Sequence, residues 1–348
     1  MARIVVAGAG AAGASVAYQL AELGADDVLL CDRARVAGGA TAKAMGGVRQ
    51  QFSTTAEVRL AQASIRFFEE LGAPFFEQVG YLFLATTEAG FEELEQRVEL
   101  QRSLGVPVVA AEPPAGVRTD DVVGAVVCWE DGVADPPAVA RELVRRAAEA
   151  GVEVRERQDG AELEADVFVI AAGPWSAELG RRLGVELPIR PLCRQLIATA
   201  PIEGLPADLP MTIEAETGFH FRRRGDRLVL AMSDPEPRWG FDEVVDEKLF
   251  DDRLARLIHR YPAAAGTSVD RAWAGLYDMT PDAHPILGAV GEGVYGACGF
   301  SGHGFMQSPA VGRAVAEEIL GLEPSFDLSP YRLDRFEHGA VFPEELVL

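Results

Sequence analysis

Three glycines, Gly8, Gly10 and Gly13, follow a short β-branched strand at Ile4 to Ala7 and lead into a helix expected from Ala11 to Leu23. The spacing suits a loop that receives phosphates. Gly8 permits a sharp turn, Gly10 leaves the backbone bare for a pyrophosphate, and Gly13 lets the helix pack against the strand. The N–H groups of Ala11 and Ala12, at the positive end of the helix dipole, then face the phosphates without help from a lysine. A second apolar strand, Asp27 to Cys31, ends at Asp32, about 20 residues beyond the last glycine, where a carboxylate takes a ribose hydroxyl. This βαβ unit fits an adenine dinucleotide. Asp32 would repel the extra phosphate of NADP, whereas NAD and FAD remain equally compatible.

Other stretches carry polar groups on turns. Val167 to Ala171 reads as a parallel strand that ends at a ligand-facing turn, Ala172-Gly173-Pro174-Trp175. Gly299 to Gly304 is glycine-rich and opens a helix from Phe305 to Leu320. That helix N-terminus could stabilise negative charge on a reduced cofactor. Arg49 stands in a glycine-flanked loop with Gln50 and Gln51, either as a functional cation or as a surface loop residue. In the strand Gly218 to Arg222, alternation puts His220 and Arg222 on one face and Phe219 and Phe221 on the other. Arg222 is then either a bidentate carboxylate clamp or, with Arg223 and Arg224, the solvated start of a hairpin turn. His284 and His303 read as turn-capping residues.

The elements that position these groups divide the chain of 348 residues into α/β parts and strand-rich parts. Helices are expected at Glu57 to Leu71, Glu88 to Leu104, Pro136 to Gly151 and Glu247 to Tyr261. Strands expected at Gly80 to Thr86, Val122 to Trp129, Leu192 to Ala200, Gly218 to Arg222, Arg227 to Met232 and Arg271 to Tyr277 suggest an antiparallel sheet. Short strands are also expected at Val152 to Arg155 and Gly293 to Gly299. The expected architecture is a discontinuous Rossmann-type domain, residues 1–75, 132–190 and 285–330, with an inserted antiparallel-sheet domain, 76–131 and 191–284, and a surface tail, 331–348.

The net charge of −22 disfavours nucleic acid and anionic lipid as partners. No apolar run is long enough to span a membrane. The N-terminus shows no secretory signal, and the four cysteines form no C-x-x-C pair, so a cytoplasmic protein with buried thiols and no metal site is expected.

Taken together, the glycine loop, Asp32, the Ala171-Ala172-Gly173 turn and Gly299-Phe-Ser-Gly-His-Gly-Phe305 make the chain resemble the D-amino-acid oxidase family over nearly its whole length. Gly46-Gly-Val-Arg-Gln-Gln-Phe52 and Tyr277-Asp-Met-Thr-Pro-Asp282 resemble its sarcosine oxidase, glycine oxidase and proline dehydrogenase β-subunit branch most. The resemblance implies FAD, with adenosine at Asp32 and Arg33 and the isoalloxazine between the two domains. It implies phosphate contacts at Gly39, Ala40 and Thr41, and cofactor contacts at Ala172, Gly173, Trp175, Gly299, Ser301, Gly302, His303, Gly304, Phe305 and Met306. Arg49 matches an arginine near the flavin, placed to order the ring or to meet a substrate carboxylate. Tyr277 matches an active-site tyrosine.

The implied reaction is oxidation of a C–N bond in an amino acid or N-alkyl amino acid, with oxygen or a redox partner as electron acceptor. A 2-hydroxy-acid dehydrogenase and an FAD-holding subunit of a larger complex are the alternatives, and homo- or hetero-oligomers fit either. Gly275 stands where sarcosine oxidases carry the cysteine that bonds FAD, so non-covalent FAD is expected. Val229 matches a lysine that speeds reaction with oxygen, so oxygen is expected to react slowly unless Arg227 substitutes. Met306 and Phe52 replace a lysine and an arginine that hold the carboxylate of sarcosine, which implies a less polar cleft.

Overall fold

The computed structural model describes residues 2–339, 341 and 343. A six-stranded sheet runs in the order Ile286–Gly291, Val294–Cys298, Val167–Ile170, Ile4–Ala7, Val28–Asp32, Glu153–Glu156. Its five inner and far strands are parallel, and Ile286–Gly291 joins the edge antiparallel. The continuous apolar run of Ile4–Ala7 suits a strand covered on both faces, and all four residues are buried. Helix Ala11–Glu22 lies against helices Pro136–Glu149 and Gly304–Ile319 on one face of this sheet. Asp135 caps Pro136–Glu149 by accepting from Ala138 N at 3.0 Å, with proline in the first turn.

The second sheet has nine strands, with Arg190–Thr199 and Val269–Met279 paired along their length. Its middle is Arg227–Ala231, His220–Arg224, Met211–Glu214, Tyr81–Ala85 and Gly124–Cys128. The sheet is mixed rather than antiparallel throughout, because Met211–Glu214 pairs parallel with Tyr81–Ala85. That strand has only four residues, all buried, and offers no alternation to read. Phe219 and Phe221 enter the core on one face of the sheet, while His220 and Arg222 take the other.

A third sheet, Gly47–Val48, Gly132–Ala134 and Phe76–Glu77, was not anticipated because two of its strands have two residues. It fixes the chain just before Arg49. The C-terminal segment departs from expectation in part: Tyr331 and Arg335 are buried, so residues 331–336 are packed rather than a tail, whereas 337–339, 341 and 343 are exposed as expected. The reason is a bidentate pair in which Arg335 Nε and Nη2 donate to Asp282 at 2.8 and 3.0 Å. The rest of that expectation, at 340, 342 and 344–348, lies outside the described residues.

Candidate active site

A cavity of about 430 Å³ opens at the carboxyl ends of the first sheet's parallel strands and extends to the face of the second sheet that carries His220. Among the expected site residues, Gly8, Gly10, Ala11, Ala12, Asp32, Arg33, Gly39, Ala40 and Thr41 line its nucleotide end. Ala172, Gly173, Trp175, Gly275, Gly302, His303, Gly304, Phe305 and Met306 line its middle, and Arg49, His220 and Tyr277 its far end. Gly13, Arg222, Gly299 and Ser301 are outside the wall.

At the nucleotide end, the Asp32 carboxylate accepts from Ala9 N at 2.8 Å and Ala34 N at 2.7 Å, which fixes its orientation at the end of its strand. Helix Ala11–Glu22 has no cap from its own N-cap residue; Thr41 supplies one, its Oγ1 accepting from Ala11 N at 3.0 Å. Thr41 therefore brings its hydroxyl to the phosphate loop as well as its backbone. Gly13 acts behind the wall: a Cβ there would sit 1.8 Å from Gly8 O. Arg33 lies over the Trp175 ring at 4.8 Å, and Phe241 stacks on the same ring at 5.9 Å.

The second glycine segment divides its backbone donors between two tasks. Gly299 N donates to Asp278 Oδ2 at 2.7 Å and Ser301 N to Asp278 O at 3.2 Å, so Gly299 and Ser301 anchor the loop and do not face the cavity. Burial pushes the Asp278 carboxyl up to about 6 in spite of these bonds. Ser301 holds φ 52°, a conformation rare without glycine. The N–H groups of Gly304, Phe305 and Met306, in the helix's first turn, have no intrahelical acceptor and line the cavity. A Cβ on Gly302 would come within 2.4 Å of the Tyr277 ring, so the loop and the tyrosine are in direct contact.

Arg49 is buried rather than at the surface. Its Nη1 donates to Gln51 O at 2.9 Å, Nη2 lies 3.3 Å from His303 Nε2, and the guanidinium covers the Phe52 ring at 4.3 Å. An arginine nitrogen can only donate, so His303 Nε2 accepts and its Nδ1 carries the proton. Buried Asp131 holds the loop, accepting from Gln50 N at 2.9 Å, Gln50 Nε2 at 3.2 Å and Gln51 Nε2 at 3.1 Å. His220 Nδ1 lies 2.8 Å from Gly218 O. A carbonyl only accepts, which leaves the lone pair on Nε2, and burial pushes this imidazole down to about 4.

Several expectations are corrected by this geometry. Arg222 does not clamp a ligand from the wall; it is buried behind Gly46, and its Nη2 donates to Ala134 O at 3.2 Å. His303 is the N-cap residue of Gly304–Ile319 without a side-chain cap, its imidazole meeting Arg49 instead, and fully buried His284 places Nδ1 2.8 Å from Glu57 Oε1. Phe52 is in the core, so its replacement of an arginine says nothing about cleft polarity. Val229 packs with Leu196 and Ala198, also outside the wall, and Arg227 is paired with Asp270 at 2.6 Å. The expectation of slow reaction with oxygen therefore loses its footing at position 229.

Sequence reasoning missed Tyr81, Met211, Arg194 and Lys43, all in the wall. Lys43 covers Gly275, where a Cβ would be 2.9 Å from the Lys43 Cβ, and its ammonium pairs with Glu243. No sequence motif surrounds these residues; only the pairing of strands and turns brings them together. Among the described residues no group of three metal-ligating side chains occurs, and no helix is long and apolar enough to cross a membrane.

FAD fits this wall. The orphan donors of two helix N-termini, the oriented Asp32 carboxylate and the narrow approach at Gly10, whose Cβ would be 3.0 Å from Thr41 Oγ1, suit its phosphates, ribose and ring. Curated relatives include FAD-dependent oxidoreductase domain-containing protein 1 of Bos taurus, 30% identical over 99% of this chain and 87% of that one. Mitochondrial sarcosine dehydrogenase of Homo sapiens is 26% identical over 97% of this chain, which spans only 42% of that relative. Among solved structures, L-proline dehydrogenase from P. horikoshii aligns with a TM-score of 0.90 and 26% identity, covering 98% of this chain and 99% of that one. A family model, "DAO: FAD dependent oxidoreductase", matches residues 3–318. The chain is therefore a member of the DAO family of FAD-dependent oxidoreductases.

Proposed function

We propose that the protein oxidises the C–N bond of an amino acid or N-alkyl amino acid with non-covalently held FAD. The observation that carries this reading is the character of the far wall. Arg49 and Arg194 place positive charge beside Tyr277, and His220 presents a neutral imidazole. Such a wall disfavours an ammonium ion, so an amine settles there with its proton lost and its lone pair available. His220 is too weak a base to draw a proton from an alcohol, which disfavours the hydroxy-acid alternative. The sarcosine and L-proline named for the relatives are both amines with a carboxylate.

When bound, FAD supplies a two-electron acceptor for the hydride on the carbon next to nitrogen, and the resulting imine hydrolyses. Asp32, Thr41 and the first turn of Gly304–Ile319 would hold it, and Gly275 offers no sulfur for attachment. The chain's own contribution is orientation: Arg49, fixed by Gln51 O and His303, and Tyr277, fixed by Gly302, set the position of the substrate. We take residues 1–75, 132–190 and 285–330 as the FAD-binding unit and 76–131 and 191–284 as the substrate unit, following the strands of the two large sheets. The four cysteines are free and buried, in keeping with a reducing cytoplasm.

The test is anaerobic bleaching of the purified yellow protein by amino acids, N-methyl amino acids and 2-hydroxy acids. Bleaching by amines is the expected result. Bleaching by hydroxy acids alone would overturn the reading, and bleaching by none of them would favour an FAD-holding subunit.

A further inference from the structure

Behind the first turn of Gly304–Ile319 lies a group of buried polar side chains that takes no part in binding substrate. Pro309 stands inside this helix and has no N–H for Phe305 O, which takes the Ser308 hydroxyl at 2.9 Å. The turn that opens on the cavity thus loses one of its bonds to the helix behind it. Holds on this turn come from the side, from helix Thr55–Leu71. Ser64 Oγ donates to Gln307 O at 3.1 Å and accepts from Ala310 N at 3.3 Å, one bond on each side of the proline. Glu57 Oε2 accepts from Gln307 Nε2.

Glu57 is the centre of this clamp. Thr54 and Glu57 have the spacing of a capping box, and Thr54 performs its half by accepting from Glu57 N at 3.3 Å. The Glu57 carboxyl turns inward and is fully buried, with His284 Nδ1 2.8 Å from its other oxygen. His284 is braced in turn: its carbonyl accepts from Thr280 Oγ1 at 2.8 Å and from Arg335 Nη2 at 2.9 Å, and Arg335 pairs with Asp282. A buried carboxyl is costly unless its oxygens are satisfied, and here two fixed partners satisfy them. Gln307 is where the clamp meets the cavity. Its N–H closes a helical bond to His303 O at 3.2 Å, and the N–H groups before it, on Gly304, Phe305 and Met306, are the ones left without an intrahelical acceptor.

We propose that Glu57 is a positioning residue which, through Gln307, holds those three N–H groups on the flavin and thereby stabilises its reduced form. The inference rests on the placement of FAD at this turn and goes beyond amine oxidation, because reduced flavin gathers negative charge whichever substrate supplied the hydride.

The experiment measures the two-electron midpoint potential of the FAD-loaded protein against reference dyes under anaerobic conditions. Gln307→Met removes the clamp without a change of charge and should lower the reduction constant about tenfold, a fall of about 30 mV. Ser64→Ala, also neutral, should lower it about threefold, a fall of about 15 mV, and it carries the test if Gln307→Met does not fold. In a Glu57→Met background the effect of Gln307→Met should vanish; any charge lost with the carboxyl is common to both members of that pair and cancels. Thr87→Ala takes the cap from helix Glu88–Ser103, where Thr87 Oγ1 accepts from Gly90 N at 3.0 Å; it should lower the melting temperature and leave the potential unchanged. Unchanged potentials in Gln307→Met and Ser64→Ala would overturn the proposal. So would a Gln307→Met effect that is as large without Glu57, or an equal fall in Thr87→Ala, which would make the potential a measure of stability alone. None of these measurements uses an amine, so bleaching by amines judges C–N oxidation separately.

Discussion

At the nucleotide end of the cavity the arginines are matched locally: Arg182 with Asp159 at 2.6 Å, and Arg33 with the Trp175 ring at 4.8 Å. At the far end Arg194 has no such partner, and Arg49 is held by a carbonyl, an imidazole and an aromatic ring. The nucleotide end binds through backbone donors that a helix start leaves open, so its side chains serve mainly to brace the loop. The far end, the proposed substrate site, instead draws its side chains from several distant segments of the chain. One end is rigid through close backbone packing; the other depends on a buried polar network.

The sharpest way to break this contrast is at Gly13. A methyl group there would meet Gly8 O at 1.8 Å, and no flexible side chain is available to yield. Gly13→Ala should therefore separate the helix from the loop, costing at least about 3 kcal/mol and removing FAD binding. The measurement is flavin content of the soluble fraction with circular dichroism of the apoprotein. Normal FAD loading would show that the nucleotide loop is not closely packed.

A smaller loss is expected from Asp32→Ala. It removes the acceptor for Ala9 N and Ala34 N as well as the one proposed for the ribose, each hydrogen bond to a charged group contributing about 1.5 to 3 kcal/mol. FAD affinity, measured by fluorescence quenching on reconstitution, should fall more than about tenfold. A smaller change would mean that backbone donors alone hold the dinucleotide.

The same contrast governs what could be read in advance. Gly8, Gly10, Gly13 and Asp32 fall within one βαβ unit, where local spacing determines spatial arrangement, and all except Gly13 line the cavity. The helix at Gly304–Ile319 was legible for the same reason. Arg194 and Tyr277 meet only because two long strands pair in a particular register, and Tyr81 and Met211 because a parallel pair joins segments about the centre of the sheet. Alternation placed His220 and Arg222 correctly on one face, yet it could not say that the face runs from the cavity at His220 to buried packing behind Gly46 at Arg222. Asp131 was invisible because its partners, Gln50 and Gln51, become neighbours through a sheet with two strands of two residues.

Asp131 provides the finest probe of the far end. Burial outweighs its hydrogen bonds and pushes its carboxyl up to about 7, well above its ordinary range. The folded state thus binds a proton more tightly than the unfolded chain does. The stability from this group is full below the unfolded value of about 3.9 and is lost as pH rises through the folded value, with a limiting slope of about 1.4 kcal/mol per pH unit. Asp131→Asn should also disturb the bonds to Gln50 and Gln51, but that offset does not depend on pH and does not enter the slope. Denaturant melts from pH 4 to 8 should show wild type losing stability relative to the variant as pH increases. Parallel profiles would mean that Asp131 stays ionised in the fold, and that the Arg49 loop is held by a permanent charge.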